Sequence, residues 1–454
     1  MNSFWKRYFT EYKKTLLLSA PVIIAQLGQI LVGLIDNIMI GHLGRTELAA
    51  ASFTNTLFYL IIFFGMGFSY ALTPVVGQLW GKRETGELGS WLKNGIMSNI
   101  IMGFLLSIVL CLVAELMPYM GQPKSVVFPS QSYLYILTIS VLPMMIFYGY
   151  KQFAEGLGDT KTAMVIVLIA NGINILGNYM FMFGKLGMPE LGLIGAGVGT
   201  VISRIFMAVA FFAIFRYKSL FKEYTGILSS SMFSIEKIKR LSLLGMPIGG
   251  QMVMESAAFG FCAIMMGWIS ELGMASHQIA INLSTLGFMI FQGLGAGTTI
   301  RVSHAKGNND LKGIGMATTS GIHLMLFYSV ISMALFIGAR NLLPQIFTND
   351  NEVVMLTAQM LIICAFFQLF DGFQVVLAGS LRGLADVQVP AVITFISYFM
   401  ISIPFSYFAA FKWGFGAVGI WYGFPVGLAT SSFLYYMRYL YITRRKPDTL
   451  VAMA

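Results

Sequence analysis

Three carboxylates stand where a carboxylate is costly. Asp36 lies in Gly33-Leu-Ile-Asp-Asn-Ile-Met-Ile, Glu255 in Met252-Val-Met-Glu-Ser-Ala-Ala, and Asp371 in Phe366-Phe-Gln-Leu-Phe-Asp-Gly. An acid in such an apolar run costs at least about 2.5 kcal/mol on membrane insertion, so its presence asks for a role. Neighbouring polar groups suggest one. Gln29 and Asp36 are seven residues apart and share a helix face, and Asn171, Asn174 and Asn178 recur at i, i+3 and i+7 as a polar stripe. A carboxylate facing several amide oxygens suits a hard cation or a proton. Phe367 and Gln368 share a face with Asp371, and Phe288 lies in a separate apolar run. Aromatic rings beside a carboxylate suit an organic cation. The same residues also fit a structural carboxylate held by hydrogen bonds, and an aromatic stripe is an ordinary packing surface.

Helices in lipid must position these groups. Of 454 residues, 57% are hydrophobic and 11% charged, and the mean hydropathy is +0.76. Soluble chains carry about 25% charged residues, so the solvent here is lipid. Twelve apolar runs of spanning length occur, at about 16–40, 49–74, 94–117, 129–150, 162–183, 192–215, 241–267, 276–299, 314–338, 353–379, 389–410 and 414–437. Without water, each run must be helical to satisfy its backbone. Lys and Arg alternate between the two sides, 23 against 5 with Arg204 inside the sixth run, which predicts that both termini are cytoplasmic. The net charge of +10 then reflects topology and not nucleic-acid binding. The first residues lack the pattern of a cleaved signal peptide. Cys111, Cys262 and Cys364 are far apart and read as small packing residues. The four histidines are scattered, with no H-E-x-x-H, and no Walker loop occurs, so neither a zinc hydrolase nor an ATP-driven pump is indicated. The 30 methionines suit a promiscuous binding surface.

The chain also repeats itself. At an offset of 226, Pro21-Val22-Ile23 matches Pro247-Ile248-Gly249, Gly41 matches Gly267, Gly67 matches Gly293 and Gly81 matches Gly307. At 227, Gly156-Leu157-Gly158-Asp159 matches Gly383-Leu384-Ala385-Asp386. Six spans per repeat make the halves parallel, related by a pseudo-two-fold along the membrane normal. The expected organisation is an N-lobe at 1–220, a cytoplasmic linker at 221–238 and a C-lobe at 239–454. Rocking of two such bundles gives alternating access, and nothing resembles a channel filter. The acids break the symmetry: Asp36 aligns with Cys262, and Glu255 with Gln29.

Five stretches resemble the multidrug and toxin extrusion (MATE) family, in its NorM-like bacterial branch. They are Leu34-Ile-Asp-Asn-Ile-Met-Ile-Gly-His-Leu-Gly, Gly184-Lys-Leu-Gly-Met-Pro-Glu-Leu-Gly, Ser276-His-Gln-Ile-Ala-Ile-Asn, Thr299-Ile-Arg-Val-Ser-His and Ala378-Gly-Ser-Leu-Arg-Gly. The resemblance implies an all-α, V-shaped two-lobe membrane fold. It implies a secondary antiporter, not an enzyme, that exchanges Na⁺ or H⁺ for organic cations and needs no cofactor. A bacterial inner-membrane location and a monomer are expected with it. By position in the motifs, Asp36, Asn174, Asn178 and Thr200 are the implied N-lobe ion site. Glu255 and Asp371, with Phe288 and Phe367, are the implied C-lobe cation site. Na⁺ is expected at Glu255, Asp371 or Asp36. Asn178 stands where some branches carry Asp, and Phe367 where relatives carry Tyr. The rival reading is a lipid-linked oligosaccharide flippase of a related two-lobe fold. That cargo needs a cationic cleft for its phosphates, whereas Arg204 is the one base found inside a predicted span, against the acids Asp36, Glu255 and Asp371.

Overall fold

The computed structural model describes residues 2–222, 224 and 233–444. Of the linker expected at 221–238, residues 223 and 225–232 lie outside the described residues, as do Arg445 and Lys446 of the basic C-terminus. Among the described residues the twelve expected spans are present as twelve helical stretches long and apolar enough to cross a membrane.

The first six spans are built from α1 (Asn2–Gly41), α2 (Arg45–Ser69) continuing into α3 (Leu72–Lys82), α4 (Leu88–Leu116), α5 (Lys124–Ile139) continuing into α6 (Val141–Gly156), α7 (Lys161–Met182) and α8 (Leu193–Tyr217). The second six are α9 (Ile235–Ile269), α10 (Glu271–Gly307), α11 (Leu311–Gly338), α12 (Asn351–Gly383), a span opened by α13 (Gln388–Phe395), and α15 (Gly416–Arg444). Within the span of α13, two π-helical turns, Ile396–Ser402 and Phe408–Lys412, flank a short α14 (Ile403–Tyr407).

Local chemistry sets these limits. Ser270, Asp310 and Asp350 cap α10, α11 and α12, each side chain accepting a backbone N–H of the first turn. The α5–α6 break falls at Ser140, where Pro143 has no N–H to give to Ile139. In the eleventh span Pro404 lies between the two wide turns, and its missing N–H interrupts the α-helical ladder.

The chain forms two compact units: Ile24–Val253, and Met1–Ile23 together with Met254–Ala454. The divisions fall inside α1 and α9, each shortly after a proline within the helix, Pro21 or Pro247. In the first unit Gly67 of α2 meets α9, where an added Cβ would lie 2.7 Å from Gly249 Cα. In the second, Gly293 of α10 meets α1, where a Cβ would lie 3.2 Å from the Ser19 carbonyl and 3.1 Å from the Ile23 nitrogen. Gly67 matches Gly293 and Ile23 matches Gly249 in the repeat, so these are one contact made twice. Only a residue without a side chain admits such close backbone approach.

The turns repeat as well. Asp159 N bonds to Ala154 O at 2.9 Å after α6, and Asp386 N bonds to Leu381 O at 2.9 Å after α12. The residue before each aspartate has positive φ, Gly158 at 90° and Ala385 at 58°. Arg83 (61°) and Asn309 (55°), 226 apart, do the same after α3 and α10.

Candidate functional site

In the first unit the asparagine stripe meets Asp36. Asn178 Nδ2 of α7 donates to Asp36 Oδ1 of α1 at 2.6 Å. The same amide lies 3.5 Å from Asn174 Oδ1, and Asn174 Nδ2 donates to Thr200 Oγ1 of α8 at 3.3 Å. Thr200 in turn donates to the Ala196 carbonyl. All four expected residues therefore form one hydrogen-bonded chain across three helices. Asn171 lies further along, where a Cβ on Gly28 would be 3.0 Å from its Nδ2. Contacts at 28/171 and 36/178 advance together, so α1 and α7 run parallel. Gln29 shares the face of Asp36 in spacing only: it is exposed and joins none of these bonds.

The closeness of α7 and α8 makes this chain possible. A Cβ on Gly177 would lie 3.0 Å from Gly199 Cα, and one on Gly199 would lie 2.5 Å from Asn178 Oδ1. Asn178 is fully buried, and its Oδ1 has no hydrogen-bond partner. One turn beyond Thr200, Arg204 Nη1 donates to Ser140 Oγ at 2.5 Å, and its guanidinium sits 5.0 Å over the Phe58 ring. It interacts electrostatically with Asp36, Tyr59, Tyr133 and Tyr148.

In the second unit Asp371 of α12 is 7% exposed, and its electrostatic neighbour is Glu255 of α9, a like charge. Gln374 Nε2 donates to Glu255 Oε1 at 3.0 Å and to the Tyr398 hydroxyl at 3.2 Å. Ser431 Oγ donates to Gln374 Oε1. Tyr398, in the first π-helical turn, feels both acids, and Tyr435 feels Glu255. Thus two carboxyls, two phenols, an amide and a hydroxyl converge from α9, α12, α15 and the span of α13. This donor set is all oxygen at its accepting atoms, the set a hard monovalent cation or a proton needs.

The sequence reading did not name Gln374, Tyr398, Ser431 or Tyr435. Gln374 stands three residues after Asp371, one turn along the same face, and that spacing was the available signal. The two aromatic candidates are placed apart from each other. Phe367, 3% exposed, packs on Trp421 and Phe424 with ring centroids 5.9 and 6.0 Å away. Phe288 packs instead with Phe291, Leu294 and Met325. Gln368 is buried, donating to the Ser284 carbonyl at 3.3 Å and accepting from Ser332.

Lys151, buried, and Arg301, half-buried, lie on the spanning helices beyond the apolar runs. Lys151 pairs with Glu155 at 2.9 Å, and Arg301 pairs with Glu11. Both fell just outside the apolar runs because α6 and α10 extend further than hydropathy marks. Each is matched by an acid, as a buried base requires.

A twelve-span helical chain, duplicated and holding buried acids, is the architecture of a membrane transporter. The chain belongs to the MatE family, whose model matches residues 21–180 and again 247–408, two segments beginning at the offset read from the glycines. Members are secondary transporters, not enzymes. The chain is 32% identical to the Multidrug resistance protein NorM of Photobacterium profundum, over 98% of this chain and 99% of that protein. The fold matches that of a Vibrio cholerae MATE transporter with a TM-score of 0.88 at 17% identity, over 97% of this chain and 98% of that one. It also matches a MOP superfamily transporter of Pyrococcus furiosus with a TM-score of 0.88 at 19% identity, over 96% and 97%. The Pyrococcus transporter is known for a binding pocket of reverse polarity, which suggests a different function for it.

Proposed function

We propose that this protein is a multidrug efflux antiporter of a bacterial inner membrane, exchanging Na⁺ or H⁺ for organic cations. The observation that carries the reading is the buried Asp371 in electrostatic contact with the half-buried Glu255 of like charge, Glu255 being linked to Tyr398 through Gln374. Two neighbouring carboxyls in a low-dielectric setting do not both stay ionised unless a cation joins them, and otherwise one holds a proton. The pair is therefore a seat for the coupling ion. Asp36, held by Asn178, is the acid of the other unit and the anchor for a cationic cargo or a second ion. Ion and cargo act on each other by stabilising different states of one transport cycle. The relatives named for multidrug resistance support the cargo class. Cytoplasmic termini follow from the basic loops, and a monomer holds both sites. The organisation proposed remains two lobes, 1–220 and 239–454, joined at 221–238.

The flippase alternative needs a cluster of unmatched bases for phosphates. Lys151 and Arg301 are each paired with an acid, which favours cationic cargo over it.

The test is flux in proteoliposomes loaded with Na⁺ or with a pH step. Adding ethidium outside the appropriate face should drive either Na⁺ efflux or a pH change. Glu255→Gln and Asp371→Asn should each lower that flux at least about tenfold, the loss of one hydrogen bond to a charged group. Undiminished flux in both variants would remove the pair from the coupling step.

A further inference from the structure

The first unit keeps an open groove between α2, α4 and the first half of α9. Its volume is about 650 Å³, and residues within 60–68, 98–109 and 238–253 line it. Apart from Ser98 and Ser242 the lining is apolar, and Ser98 donates its hydroxyl to the Asn94 carbonyl. Leu105 and Met246, each about half exposed, lie on its open side. An apolar groove opening sideways from a spanning bundle faces lipid, not water. From Ser98 to Val109 it follows α4, a length of about 16 Å at about 1.5 Å per residue. That is close to half of the ~30 Å hydrocarbon core, so the groove is one leaflet deep.

One end of the groove is basic. Residues 235–240 carry Lys237, Lys239 and Arg240 against one acid, Glu236. Lys237 is matched, since it pairs with Glu87 and bonds to Ser90. Lys239 and Arg240 are exposed, and neither has an ion pair among the described residues. Lys239 stands three residues before Ser242 and seven before Met246, on the face of α9 that lines the groove. The Arg240 guanidinium lies 5.8 Å over Trp91, which stands seven residues before Ser98 on the lining face of α4. Indole rings and bases together mark the headgroup level, here on the side that the proposed topology makes cytoplasmic. An organic cation meets unmatched bases at this end and is repelled. An anionic phospholipid brings the opposite charge, and each Lys or Arg beside its headgroup favours it. We propose that the groove is the seat of an anionic phospholipid of the cytoplasmic leaflet, its phosphate on Lys239 and Arg240 and an acyl chain along α4 and α9. The bound lipid ties the first half of α9 to α2 and α4. This adds a partner to the antiport reading and does not depend on it.

Dioleoyl phosphatidylglycerol and dioleoyl phosphatidylcholine make a matched probe pair, with the same chains and different headgroup charge. Lipid retained by the purified full chain in detergent is counted by native mass spectrometry. Wild type should hold phosphatidylglycerol about tenfold more tightly than phosphatidylcholine. A double variant, Lys239→Gln with Arg240→Gln, should lose that preference and keep its unfolding temperature in lipid-free detergent. Met246→Trp, which fills the groove from its open side, should lower phosphatidylglycerol retention about tenfold. Leu105→Trp fills the same groove from α4, and the charge variant decides if neither filled variant folds. Equal retention of the two lipids by wild type overturns the proposal. So does a preference that survives the double variant, or retention unchanged in both filled variants. Ethidium binding that is lost in Met246→Trp while lipid retention stays intact assigns the groove to cargo and overturns it too.

Discussion

At the scale of the residue, Asn178 is the hinge of the first cluster. Its amide nitrogen reaches Asp36 and Asn174, while its oxygen is pressed against the bare Cα of Gly199. Gly199 is therefore part of the site although it has no side chain. A methyl group at Gly199 would lie 2.5 Å from Asn178 Oδ1 and 3.1 Å from its backbone nitrogen, so the side chain must shift and weaken its bond to Asp36. Gly199→Ala should lower transport severely and stability by about 1–3 kcal/mol, the range for overpacking. Gly172, on α7 with Asn178, has open space where a methyl group would stand. Gly172→Ala should keep full transport and gain up to about 1 kcal/mol of helix stability. Dye efflux and thermal unfolding in detergent measure both, and equal behaviour of the two variants would contradict the role given to Gly199. The acids and the asparagine stripe were legible because polar side chains stand out in apolar runs. Gln374, Tyr398 and Ser431 were not, because single amides and hydroxyls are common in membrane helices and only folding shows where they converge.

At the scale of the element, the duplicated turns carry their own charges. Asp159 accepts from Thr162 N and Oγ1, at 3.1 and 2.7 Å, and pairs with Lys218 beyond α8. Asp386 pairs with Arg438 of α15, at 2.8 and 3.0 Å. Each pair ties the fourth or tenth span to the sixth or twelfth. Burial raises the Asp159 pKa, and the bonds from Lys218 and Thr162 outweigh it, leaving the carboxyl below its ordinary value. Its folded pKa is thus below its unfolded one. The stabilisation is whole above the unfolded value and is lost as pH falls through the folded one. Asp159→Asn should cost about 1 kcal/mol at neutral pH, a modest figure because Lys218 is part-exposed to solvent. The gap from wild type should close below about pH 4. Unfolding temperatures across that range check it, and a gap that persists in acid would rule out the ion pair as its source. The repeat was readable in these turns because Gly158 needs its positive φ, while Ala385 reaches 58° in the same hydrogen-bonded frame.

At the scale of the whole molecule, hydropathy marked the spans but not their company. An apolar run carries no mark of which bundle it joins. The first 23 residues belong to the unit of Met254–Ala454, and residues up to Val253 belong to that of Ile24–Val253. Side chains show why. Arg301 of α10 donates to the Glu11 carbonyl at 3.0 Å, to Thr15 at 2.6 Å and to Ser320 at 2.8 Å, and pairs with the Glu11 carboxylate. Tyr12 bonds to His323 at 2.8 Å, and Ser19 covers Gly293 and Gly297. On the other side, Lys237 of α9 bonds to Ser90 at 2.8 Å and pairs with Glu87, and Ser234 N bonds to Asn94 Oδ1 at 2.9 Å. Deleting residues 2–20 should therefore damage the half of the chain that is remote in sequence. It leaves the half-buried Arg301 without its acid, a loss of up to about 3 kcal/mol, and bares the small-residue face of α10. Limited proteolysis should then cut within residues 254–444 first, while residues 24–217 stay protected. Adding Arg301→Met to the truncated chain should return part of the protection, since no unmatched charge remains. Cleavage confined to residues 24–217 would show instead that the first helix segment stabilises its own half.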